Sequence, residues 1–105
     1  MKTANKTAAE CPIAKTVDVV GDHWSMLIIR DLLTGPKRFS HLARSLSGIS
    51  SRTLTQKLQS MSKKKFIVRR EYSESPPRVE YTLTKKGSDL NDVAKAMRKY
   101  GKKHL

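Results

Sequence analysis

At Phe66 the hydrophobic period of this 105-residue chain changes, and that switch restricts the fold more than any other feature of the sequence. Up to that point apolar residues recur at helical spacing. Beyond it, "IVRREYS" (67–73) and "RVEYTLT" (78–84) are rich in Val, Tyr and Thr and alternate in polarity, which predicts two strands. The "ESPP" between them predicts a hairpin loop stiffened by proline. Helices that give way to one short hairpin make an α+β, mainly helical protein. At this length it should be one domain with a single core.

The upstream helices can be placed from their stripes and stops. Residues 1–10 are polar and are expected to form a flexible arm, with 11–105 as the folded domain. Pro12 suits the first turn of a helix, and Ile13, Val17 and Val20 fall on one stripe ending at Gly21. "HWSMLIIRDLL" (23–33) is apolar around more than half its circumference, which predicts the central helix of the core. "KRF" (37–39) reads as a very short strand, and Ser40 as the N-cap of a short helix burying Leu42, Ala43 and Leu46. A turn at Gly48 leads into "SSRTLTQKLQSMSKKK", with Ser50 or Ser51 as cap and Leu54, Leu58 and Met61 as the buried stripe. Two helices joined by so tight a turn are a helix-turn-helix, and the hairpin after them makes it winged. Thr84 is expected to cap one last helix. In it Leu90, Val93, Met97 and Tyr100 form a seam longer than a small core needs, which predicts a homodimer built on 85–105 with 11–21 alongside.

Charge points to the partner. The chain has 22 Lys+Arg against 9 Asp+Glu, a net charge of +13, and an excess of that size in a folded domain implies a polyanion. No Asp or Glu occurs between Leu32 and Arg70, whereas Lys37, Arg38, Arg44, Arg52, Lys57, Lys63 and their neighbours do. The excess therefore sits on the helix-turn-helix. A helix fits the major groove of double-stranded DNA, where Arg can bond guanine O6 and N7 and Gln can bond adenine N6 and N7. Arg52 and Gln56, one turn apart on the exposed face, are the candidate base readers. Ser50, Ser51 and Thr53 are candidate phosphate ligands, with Arg38, Lys57 and Lys63 around them. Arg78, after Pro76-Pro77, either reaches a groove or phosphate or pairs with Glu71, Glu74 or Glu80.

Other classes fare worse. The longest apolar run, "MLII", is too short to span a bilayer, and the N-terminus lacks the apolar region of a secretory signal, so a cytoplasmic protein is expected. A single cysteine excludes an intramolecular disulfide and a multi-cysteine zinc site. His23, His41 and His104 lack ligand spacing, so no metal or other cofactor is expected. No P-loop, GxSxG, HExxH or CxxC motif supports an enzyme. The rivals are a non-specific nucleic-acid-binding or nucleoid-type protein and a winged-helix protein-interaction module. The near-absence of aromatics in the basic stretch argues against single-strand binding.

Taken together, Cys11-Pro12, Trp24 after Gly21, "GPKRFSHL", "GISSRTLTQKL" and "PPRVEYTLT" resemble the HxlR family of prokaryotic transcriptional regulators, from about Cys11 to Tyr100. The resemblance implies a dimeric winged helix that binds a palindromic operator, with Ile13, Val17, Leu90, Val93, Met97 and Tyr100 in the dimer interface. It also implies a response to oxidants or electrophiles at Cys11. Proximity to a helix start and to Lys15 would favour the thiolate there, although a small, half-buried, inert cysteine fits the position as well. With no second cysteine, switching is restricted to a symmetric Cys11–Cys11 bond or to modification of one thiol. Because the chain stops at Leu105, no long C-terminal effector domain is expected.

Overall fold

The computed structural model describes residues 10–105, so the arm expected at 1–10 lies outside the described residues except for Glu10. Six helices and a hairpin follow in the order α1 (Pro12–Val20), α2 (Ser25–Leu32), α3 (Phe39–Ser45), α4 (Ser51–Lys63), β1 (Ile67–Tyr72), β2 (Arg78–Leu83), α5 (Lys85–Ser88) and α6 (Asn91–His104). Helix α2 is central, packing against α1, α3, α6 and β2. Its Ile28 and Ile29 are fully buried, as are Leu42 of α3, Leu54 and Leu58 of α4 and Ile67 of β1. One core therefore joins every layer.

The hairpin is antiparallel, in register from Ile67 opposite Leu83 to Tyr72 opposite Arg78. Alternating polarity forecast a half-buried sheet, yet of β1 only Ile67 is buried and no residue of β2 is. Strand β2 lies along the body, partly buried throughout with Tyr81 and Leu83 against the core, while β1 beyond Ile67 faces outward. The short strand expected at 37–39 is a single bridge: Lys37 and Tyr81 exchange backbone hydrogen bonds of 3.0 and 2.8 Å. The cap of α3 also differs from expectation. The helix starts at Phe39 with Arg38 as N-cap, because the pairing of Lys37 with Tyr81 holds the preceding backbone extended.

Two further corrections concern the C-terminal helix. Thr84 does cap a helix, accepting from the amide of Gly87, but that helix is the four-residue α5; the chain turns at Asp89–Leu90 before α6 begins. Leu90, placed by its heptad position in a dimer seam, is 9% exposed and belongs to the chain's own core together with Ala94. Leu90 and Ala94, one helical turn apart, share the face that meets the core.

The end of α4 controls this region. Lys65 sits in the left-handed region at φ 70°. The amide of Phe66 donates to the Met61 carbonyl (2.9 Å) and that of Lys65 to the Ser62 carbonyl (3.1 Å). This is a Schellman motif with lysine where glycine is usual, and its customary apolar contact is supplied by buried Met61 and Phe66. Helix α5 then closes over it. Thr84 Oγ1 donates to the Lys65 carbonyl at 2.7 Å, Lys86 Nζ donates to the Lys64 carbonyl at 2.9 Å and stands 4.2 Å from the centre of the Phe66 ring. Gly87 approaches so closely that a Cβ there would overlap the Phe66 carbonyl oxygen.

Two substitutions at this junction are expected to act in opposite directions. Gly87→Ala should destabilise the protein by about 1–3 kcal/mol, since backbone must shift to admit the methyl group. Lys65→Gly should stabilise it by about 0.5–1 kcal/mol, the left-handed strain of about 1–2 kcal/mol being partly offset by the greater unfolded-state freedom of glycine. Urea unfolding midpoints, at unchanged m-value, check both.

Candidate nucleic-acid interface

The candidate recognition surface is the outer face of α4, and the start of that helix is fixed by one hydroxyl. Ser50 is the N-cap: its Oγ accepts from the Thr53 amide and donates to Thr53 Oγ1, both at 3.0 Å. Ser50 is thereby committed to the helix, and the Thr53 hydroxyl keeps its own proton to donate outward. The amides of Ser51 and Arg52, at the first two helical positions, have no partner within the helix and are open to an anion. Gly48, at φ 94°, makes the reversal that lets α4 follow α3 so closely; an L-residue there would be strained.

Burying Leu54, Leu58 and Met61 turns Arg52, Gln56, Gln59 and Lys63 to solvent. Ser51 and Arg38 are exposed as well. Among the described residues, neither Arg52, Lys63 nor Arg38 is in an ion pair. Seven of the expected side chains (Arg38, Ser50, Ser51, Arg52, Thr53, Gln56 and Lys63) thus lie on α4, its cap or the start of α3, with none of them buried.

Lys57 and Arg78 are placed differently. Lys57 Nζ lies 3.1 Å from Asp22 Oδ2, in the turn between α1 and α2. Arg78 pairs with Glu74 (3.0 Å) and Glu80 (3.7 Å), and its guanidinium lies 4.2 Å from the centre of the Tyr72 ring. Of the two alternatives left open for Arg78, the ion pair is the one formed, and Glu71 pairs with Arg69 instead. On the outer face of the hairpin, Arg70 stands opposite Glu80 in the register and is in no ion pair among the described residues.

Asp22 had no place in the sequence-based site. Its carboxylate accepts from the amides of Trp24 (3.0 Å) and Ser25 (3.1 Å), and from the Ser25 hydroxyl. It caps the start of α2, two residues later than the sequence reading placed that start. The signal was present as Asp-x-x-Ser ahead of an apolar run. Burial raises the Asp22 pKa, but the bonds from Ser25, Lys57 and Trp24 outweigh it and hold the carboxyl at about 2.

The expected dimer residues divide. Ile13 and Val17 on α1 are 75% and 54% exposed, and Met97 and Tyr100 on α6 are 51% and 62% exposed. Val93 packs partly against the core. Between α2 and α6, reaching the end of α1, runs a largely apolar groove of about 480 Å³, lined by Val20, Met26, Leu27, Ala94 and Met97 with Arg30 and Arg98 among its polar residues. Cys11 is the N-cap of α1, half-buried, with no hydrogen bond from its side chain to the helix.

Residues 19–105 match the model of the HxlR-like helix-turn-helix family. An HTH-type transcriptional regulator of Synechocystis is 41% identical over 96 residues, covering 91% of this chain and 71% of that protein. The redox regulator HypR in its oxidised form superposes with a TM-score of 0.85 at 32% identity, over 90% of this chain and 98% of that one. The reduced form of the transcriptional regulator YodB from B. subtilis does so with a TM-score of 0.79 at 31% identity, over 90% and 94%. No helix among the described residues is long and apolar enough to cross a membrane.

Asp22 makes stability depend on acid. Its folded pKa of about 2 lies below the ordinary 3.8, so its contribution is complete above about pH 5 and vanishes as the pH falls through 2. With its side chain 36% exposed, solvent screening holds that contribution to about 1 kcal/mol. The stability gap between the parent and Asp22→Asn should therefore be widest near pH 6 and close by pH 2, as measured by urea unfolding across that range.

Proposed function

The chain belongs to the HxlR-like helix-turn-helix family, and from that premise we propose that it is a homodimeric regulator of transcription that reads a palindromic site in double-stranded DNA. One observation carries the reading. The exposed face of α4 presents Arg52, Gln56 and Lys63, with an open helix start at Ser51 and no acidic partner for Arg52 or Lys63 among the described residues. A nucleoid-type protein would need only the lysines; the Arg and Gln one turn apart suit hydrogen-bonding to base edges. In this proposal Arg52 and Gln56 read bases, while Ser51, Thr53, Arg38 and Lys63 hold phosphates and Ser50 sets Thr53. A single winged-helix domain spans 11–105, with 11–21 and the α6 part of 85–105 forming the dimer.

The dimer proposal rests on surface that the single chain leaves wet. Ile13, Val17, Met97 and Tyr100 are exposed on α1 and α6, Met97 lining the groove beside α2, and a two-fold axis bringing these helices to a second copy would bury them. Two recognition helices about 34–36 Å apart would then meet successive turns of one face of the DNA. For Cys11 we propose modification by oxidants or electrophiles. Supporting it are the cysteine's place at the start of α1, beside Ile13, and the likeness to HypR, a redox regulator by name.

Three measurements check these roles. On a site selected from random duplexes, Arg52→Ala should cost roughly 1–3 kcal/mol and relax preference at one base pair, whereas Lys63→Ala should weaken all sequences alike. Equal losses on selected and random DNA for Arg52→Ala would remove its base-reading role. Val17→Asp with Met97→Asp should halve the mass seen by light scattering, and an unchanged mass would move the interface elsewhere. Hypochlorite or a quinone added to the reduced protein should alter operator affinity in the parent and leave Cys11→Ser unaffected; identical responses would make Cys11 structural.

A further inference from the structure

Between the α1–α2 turn and α4 lies an open polar gap of about 250 Å³, lined by Asp18, Asp22, Gln56, Lys57, Ser60 and Lys64 among others. Apolar packing does not fill it, and the contact across it is the 3.1 Å ion pair of Asp22 with Lys57. An exposed ion pair between two loose side chains stabilises little. Here one partner is not loose. Three hydrogen bonds from Trp24 and Ser25 fix the Asp22 carboxylate to the first turn of α2, and Ser25 is itself 3% exposed. Oδ2 therefore faces α4 as a rigid acceptor, anchored to the central helix of the core.

The residue it holds is one step along α4 from Gln56. Lys57 has two available counter-charges, Asp22 and a DNA phosphate, and one ammonium cannot serve both at full strength. A lysine on phosphate adds affinity for every sequence and adds to the salt dependence, but adds nothing to discrimination. Resting on the DNA-binding reading above, we propose that Asp22 is a specificity-setting residue: it withholds Lys57 from the DNA backbone. Selectivity is kept by removing one indiscriminate contact from a chain that already carries a net charge of +13. The device opposes a wrong partner rather than favouring the right one.

Asp22→Asn isolates the charge, because the amide oxygen can still accept from the Trp24 and Ser25 amides and cap α2. The released lysine should bind random duplex about three-fold more tightly and steepen the plot of log affinity against log salt by about one. The preference for the selected site over random duplex should fall. Lys57→Met in the otherwise unchanged protein should leave the salt slope on both duplexes as it is. An Asp22→Asn protein with the parent's slope and selectivity overturns the proposal. So does a Lys57→Met protein whose slope falls by about one, since Lys57 would then be a phosphate contact in the parent. If the parent itself shows no preference between selected and random duplexes, base reading fails. The slopes of the two variants still decide where Lys57 spends its charge.

Discussion

Leu54, Leu58 and Met61 bury one face of α4 in the core that also holds Ile28, Ile29 and Leu42, and that burial decides which residues the other face of the helix turns to solvent. Burial and presentation are one act. Each buried leucine stabilises the fold by about 2 kcal/mol, and together they leave α4 a single rotation about its axis. Arg52, Gln56, Gln59 and Lys63 are exposed as a consequence of where the leucines are, not of any interaction of their own. The exposed residues contribute little to stability, so they are free to be chosen by the chemistry of the partner.

Phe66 is where the helical body hands over to the hairpin. Its amide closes the Schellman motif of α4, its carbonyl accepts from the Thr84 amide, and its ring packs in the core beneath the Lys86 ammonium. The recognition helix, the hairpin and α5 are thus tied at one residue. The hairpin is held further by Ile67 in the core, by Tyr81 and Leu83 packed against it and by the bridge from Tyr81 to Lys37. Its outer face spends Arg78 on Glu74, Glu80 and Tyr72, which orders the loop but engages the hairpin arginine nearest the proline turn.

Helix-turn-helix and hairpin were legible because each is a local pattern: a stripe at helical spacing, a serine cap, a change of period at Phe66. What escaped the sequence depended on contacts far along the chain. The start of α3 at Phe39 follows from the pairing of Lys37 with Tyr81, more than forty residues on, which no local rule registers. Leu90 fits a heptad seam by spacing, but in the fold it is buried with Ala94 in the chain's own core. Lys57 looked like part of the basic face because its partner lies in another helix's cap. Asp22 went unmarked for the same reason.

The placement of the acids completes the logic of the basic surface. Six of the nine are in ion pairs: Asp22, Asp31, Glu71, Glu74, Glu80 and Asp89. Of their five cationic partners among the described residues, Arg30, Arg69, Arg78 and Lys85 stand on α2, the hairpin or α5, and Lys57 alone stands on α4. No acid is spent on Arg52, Lys63 or the open amides at the start of α4. Asp22 instead takes Lys57, on the flank of α4. The outer face of that helix keeps its positive charge, and the fold neutralises α4 at one position.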